Sequence, residues 1–266
     1  MLKIKLLLYI LITLMIYNKA VSQDGFYIPK PLITSINNQA NQLQTSIGYG
    51  NGYFINASYS ISKNISFIAG GFIQNETRKI NTWFGDKRNL EINNSVFLFG
   101  LTYSKQFDFW KFNIFEITIG TVFSEVDNIS YFIASKDSKL FTQTSYINVF
   151  PQFNLGIIKK KYKIIYSLRF SNSFYDEVIY YNSYSIDNKE KLNFFSILSI
   201  DPALSFNYTI IKNIEFISQV GVSVPLYKNK FMGENIGDIT KKITISPLIT
   251  SLYKLGILYK FNFKNE

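Results

Sequence analysis

A chain of 266 residues without a single His or Cys lacks the side chains that most often serve as general base, thiolate nucleophile and soft metal ligand. Three stretches could still do chemistry. The adjacent carboxylates Asp176-Glu177 could act as an acid/base pair, the run Lys159-Lys160-Lys161 could hold phosphate, and Gly48 to Gly52 (GYGNG) has the look of a phosphate loop. Each has a plainer reading. Two carboxylates in a hydrophilic stretch are solvated charge. Three lysines at a turn suit lipid headgroups, with their stems lying along apolar surface. The glycine run lacks the Lys and the following helix that a phosphate loop needs, so it is a turn. We expect no catalytic residue, no cofactor and no metal. Trp83, Tyr180, Tyr181 and Tyr184 fall in predicted surface loops, where aromatics anchor ligands or partners or extend an interfacial girdle.

The remaining polar candidates have meaning only on the elements that carry them. The stretch from Ser251 to Phe263 puts Tyr253, Leu255, Ile257, Tyr259, Phe261 and Phe263 on one face and Lys254, Gly256, Leu258, Lys260 and Asn262 on the other. That is strict period-two alternation. Nine further segments show the same two-faced pattern: 42–49, 53–61, 65–74, 93–104, 113–123, 144–157, 162–171, 192–208 and 214–224. No helix-period segment is available to cover their apolar faces, so those faces should meet lipid. Connections are short at 62–64, near Trp110, at 159–161 and at 211–213. They are long at 75–92, 124–143, 172–191 and 228–241. Short turns on one side and long loops on the other are the layout of a transmembrane antiparallel up-and-down β-barrel. The expected fold is all-β, with about ten strands; eight or twelve stay open because Pro151, Pro202 and Pro247 interrupt three strands.

Composition agrees. Aromatics make up 17% of the chain, and the mean hydropathy of +0.05 is too low for a helical membrane bundle but natural for strands apolar on one face only. Lys3 and Lys5 precede the apolar run Leu6 to Tyr17, and Ala20-Val21-Ser22 offers a small-residue cleavage site, so 1–22 reads as an export signal. Residues 23–41, with Pro29 and Pro31, read as an extended segment that stays periplasmic or enters the lumen, and 42–266 as the barrel. The formal charge of +10 falls to +7 without Lys3, Lys5 and Lys19, too modest to suggest nucleic acid.

The residues of the last strand carry a family resemblance. With an export signal, alternating strands throughout and a terminus ending in YKFNF, the chain resembles the small outer-membrane β-barrel proteins of Gram-negative bacteria. The resemblance implies that Tyr259, Phe261 and Phe263 form the signal read by the barrel-assembly machinery, although Lys264-Asn265-Glu266 follow the terminal Phe. The stretch Tyr27 to Gly71 is similar to uncharacterised outer-membrane barrels of the Bacteroidota. The likeness implies a location in the outer membrane, contact with its lipid and no assigned activity.

At about ten strands the lumen is narrow enough for side chains to fill. Parity along the strands points Glu116, Gln152, Arg169, Asp201 and Lys254 inward, with Arg169 and Asp201 close enough to pair. Two arrangements are open: a mid-lumen polar network that plugs the barrel, or separately hydrated side chains in a wet lumen. The expected function is a structural or loop-presenting binding barrel whose loop partner is not identified; the alternative is a narrow channel for small solutes.

Overall fold

In a computed structural model, the structure describes residues 32, 39–50, 52–81, 87–132, 139–182, 190–226, 230–232, 242–244 and 250–263. The expected export signal therefore lies outside the described residues. Ten strands close into one antiparallel barrel: β1 (Gln42–Tyr49), β2 (Tyr53–Ser60), β3 (Ile65–Asn81), β4 (Lys87–Phe109), β5 (Phe112–Phe132), β6 (Lys139–Ile158), β7 (Tyr162–Asn182), β8 (Glu190–Ile211), β9 (Ile214–Pro225) and β12 (Thr250–Asn262). The short strands β10 (Lys230–Met232) and β11 (Lys242–Thr244) pair only with each other, in the connection between β9 and β12. Barrel neighbours are sequence neighbours everywhere except at the seam, where the last strand β12 pairs with β1.

The register fixes the shape. Inward-facing partners lead from Lys163 through Asn207, Ile217, Gly256, Gly48, Phe54, Phe72, Val96, Ser124 and Tyr146 back to β7 at Tyr175, twelve residues above the start. Ten strands with that stagger tilt by about 40° from the barrel axis. Ile47, Phe67, Phe99, Ile119, Phe153 and Ile257 are exposed on the outer face. On β8 the outward, exposed apolar residues run from Ile210 to Leu198. At ~3.3 Å per residue and this tilt, the band is roughly 30 Å tall, the thickness of a bilayer's hydrocarbon core. Aromatic rings mark both rims: Tyr59 beside Phe263 below, and Tyr49 against Tyr53 and Tyr253 above.

Three of the expected long loops are largely strand. β3 runs to Asn81, β4 begins at Lys87, β5 ends at Phe132, β6 begins at Lys139, β7 ends at Asn182 and β8 begins at Glu190. Sequence periodicity missed these extensions because the outer face turns from apolar to polar where the wall leaves the lipid. Below that level Ile119 and Phe123 face out. Above it Glu125, Asp127, Asn93 and Asp176 face out, while Val126, Leu90, Ile92 and Val178 are buried inside. The upper wall is thus polar outside, while inside it mixes these apolar residues with buried Gln74, Asn94, Asn128, Thr142 and Thr144. It is also one-sided. The β2–β3 ladder stops at Tyr53 and Ile73, and the β8–β9 ladder at Ser199 and Pro225, so six strands from β3 to β8 stand above the other four.

The prolines do not reduce the strand count. Pro151 and Pro202 are exposed mid-strand, and each stays paired on one side, to Ile119 and Leu168 respectively. On the other side each falls in a two-residue gap of the ladder, between Val149 and Gln152 and between Ile200 and Ala203. A proline has no N–H to donate, so the gap is placed where the donor is missing. Pro247 lies outside the described residues.

The lumen as candidate functional site

Just above the periplasmic turns the buried inward positions are mostly polar, with Ile114 and Ile165 the apolar exceptions, and three of them carry charge. Lys163 is the second residue of β7, Glu215 the second of β9, and Lys260 lies near the end of β12. Lys163 Nζ lies 3.1 Å from Glu215 Oε2, and Lys260 pairs with the other carboxylate oxygen. Asn207 donates a long bond, 3.5 Å, to Oε2. One carboxylate thus joins β7, β9 and β12 across the floor of the barrel. Beside it, Gln44 donates to Gln42 and Gln42 to Asn262, both at 2.7 Å, which ties the floor of β1 to β12 at the seam.

Higher up, Arg169 Nε donates to Asp201 Oδ2 at 2.8 Å, across the β7–β8 register pair the two residues form. They are 4% and 1% exposed. Ser171 donates to the same carboxylate at 3.0 Å and Ser223 to its other oxygen. These hydroxyls satisfy the lone pairs that an ion pair alone leaves bare, which is what makes a buried pair tolerable. On the neighbouring strands Gln152 donates to Asn154 at 2.9 Å and Asn154 to Glu116 at 2.7 Å.

The facing wall is apolar. Phe54, Ile68, Phe72, Val96, Leu98, Val122 and Phe150, all from β2 to β6, form one buried cluster with Ile217 and Leu258. Mid-lumen is therefore two-sided: charged and hydroxylic on β7, β8, β9 and β12, aromatic and aliphatic opposite. Cations meet the aromatics where the two sides join. The Arg169 guanidinium sits 5.4 Å from the Phe150 ring, and Lys254 Nζ sits 4.5 Å from the Phe54 ring, distances at which the ring quadrupole attracts a cation. Each ring packs against a glycine. A Cβ on Gly120 would fall 2.6 Å from Phe150 Cζ, and one on Gly256 would fall 2.9 Å from Phe54 Cζ.

All five residues expected in the lumen face inward and are buried. The structure joins Arg169 to Asp201, and Gln152 to Glu116 through Asn154, while Lys254 stands apart over Phe54. Sequence reasoning passed over Asn154 and the floor triad Lys163, Glu215 and Lys260. The signal was there for two of the triad: Lys163 and Glu215 each occupy the first inward position after a periplasmic turn. Of the loop aromatics, Tyr180 and Tyr181 belong to strand β7 rather than a loop, with side chains outside the described set. Trp83 and Tyr184 lie outside the described residues. Tyr259, Phe261 and Phe263 all face lipid, and the first two rings are 4.3 Å apart.

No protein-family model matches the sequence, and comparison with curated proteins finds no similar sequence. Solved structures do match. The outer membrane protease OmpT from Escherichia coli is 9% identical, with 83% of this chain and 93% of that chain covered and a TM-score of 0.52. The translocator domain of autotransporter NalP from Neisseria meningitidis is 11% identical over 82% and 86%, with a TM-score of 0.45. CarO from Acinetobacter baumannii is 9% identical over 84% and 98%, with a TM-score of 0.32. The likeness to OmpT is one of fold, and the fold is that of a bacterial outer-membrane β-barrel. Together with the apolar belt it places the chain in the outer membrane.

Proposed function

We propose that this protein is a sealed outer-membrane barrel that works as a binding or structural element, offering its raised extracellular wall to a partner, rather than as a solute channel. One observation carries the reading. At mid-height the inward side chains Phe150, Gln152, Arg169, Asp201 and Leu98 are all buried. A water-filled passage would leave the polar members of that set hydrated. The surface available for recognition is the six-stranded wall of β3 to β8, whose outward carboxylates Glu125, Asp127 and Asp176 are exposed above the lipid belt. Binding is favoured over catalysis because the chain has no His to serve as a general base.

The test is ion conductance. Purified barrel inserted in planar bilayers is expected to produce no regular unitary current steps across ±100 mV (about 2.3 kcal/mol per elementary charge moved). Reproducible steps of one size would replace this reading with that of a narrow solute channel.

A further inference from the structure

Leu32 precedes the first residue of β1 by ten positions, yet it is fully buried, and its partner is the lumen-facing side chain of Gln219 on β9. The Leu32 backbone N–H donates to Gln219 Oε1 at 2.8 Å, and Gln219 Nε2 donates back to the Leu32 carbonyl at 3.3 Å. The second Nε2 hydrogen goes to Ser205 Oγ at 2.9 Å. A side-chain amide that gives and takes one bond each with a single residue's backbone copies the pairing of a neighbouring β-strand. The orientation of the amide is settled by chemistry, since a backbone N–H can only meet the oxygen. Ser205 then holds the amide in place from β8, and both side chains are buried.

This arrangement lies outside the Arg169–Asp201 pair and the floor triad, and neither needs it. It also reads main chain, so it makes no demand on side-chain identity beyond room for Leu32. We propose that Gln219 and Ser205 form a site for extended peptide backbone inside the lumen, and that its resident occupant is this chain's own segment at Leu32. Leu32 is thereby tied to the barrel wall and fills part of the space that the ten strands enclose. The inference goes beyond the sealed-barrel reading, since docking at Gln219 is measurable whatever the lumen conducts.

The absence of native cysteine makes a direct test available in the full-length barrel. Leu32→Cys should resist a membrane-impermeant maleimide under conditions in which Lys161→Cys, at an exposed turn, reacts to completion. Adding Gln219→Leu removes both backbone bonds and should raise the labelling rate of the Cys at position 32 by roughly tenfold, with the heat-dependent gel shift of the folded barrel retained. Ser205→Ala keeps the amide but frees one of its hydrogens, and should give a smaller rise of about threefold in a barrel that is minimally disturbed. Labelling of Leu32→Cys as fast as Lys161→Cys would overturn the proposal. So would a rate in Leu32→Cys that neither Gln219→Leu nor Ser205→Ala changes.

Discussion

Gly256→Val is expected to yield almost no closed barrel. Gly256 sits at the seam, directly opposite Gly48, where the final strand has to find β1. A Cβ there would fall 2.5 Å from the Ile47 carbonyl oxygen, 2.9 Å from Phe54 Cζ and 3.1 Å from the Gly48 Cα. Two of those three atoms are backbone of the strand it pairs with, so no side-chain rotation relieves the clash, and the Phe54 ring cannot lie across both glycines. Elsewhere an overpacked core costs about 1–3 kcal/mol and repacks; here the strain falls on the one ladder that closes the cylinder. Heat-modifiable protein in the membrane fraction should drop to roughly a tenth of wild type or less. Gly71→Val is the control, because a Cβ there meets nothing nearer than Ile55 Cγ2 at 3.7 Å, and it should assemble normally. Normal assembly of Gly256→Val would show that the seam is looser than described.

Arg169→Leu should assemble but unfold more easily. The substitution strands Asp201, at 1% exposed, with two serine hydroxyls and no counter-charge. Removing one member of a buried pair costs about 3–5 kcal/mol, which for a barrel of this size lowers the midpoint of the gel shift by on the order of 10 °C. Arg169→Leu with Asp201→Leu removes the uncompensated charge and should recover much of that loss, so the two changes are strongly non-additive. Lys159→Leu, at an exposed turn, should leave the midpoint unchanged. If the single lumen variant melted with wild type, the pair would be ornamental and the polar side of the lumen would have no structural role.

The membrane-spanning half of the molecule is legible in the sequence because lipid imposes a single phase of alternation on every strand. Residues such as Ile119, Phe153 and Ile257 must face out, and once they do, Glu116, Arg169 and Asp201 must face in. Two things escape that reasoning. The extracellular wall has a polar outer face, with Glu125 and Asp127 outside, so a reading keyed to apolar-out residues ends each strand too early. Inside the lumen, alternation assigns a side but no partner. Phe54 and Phe150 are inward by parity, yet only the stagger around the barrel shows them packed against Gly256 and Gly120 beneath Lys254 and Arg169. The Leu32–Gln219 contact spans 187 residues and leaves no periodic trace at all.

The central claim is a wall with lipid on one face and a packed, waterless interior on the other. Single cysteines along β6, spin-labelled in lipid vesicles, test both halves at once. Ile147, Val149, Phe153 and Leu155 are exposed on the outer face, while Asn148, Gln152 and Asn154 are buried in the lumen. Labels at the four outer positions should collide freely with lipid-dissolved oxygen, and labels at the three inner positions should be shielded from oxygen and from a water-soluble nickel chelate alike. A profile without period two would contradict the lipid-facing wall, and inner labels open to the chelate would contradict the sealed lumen.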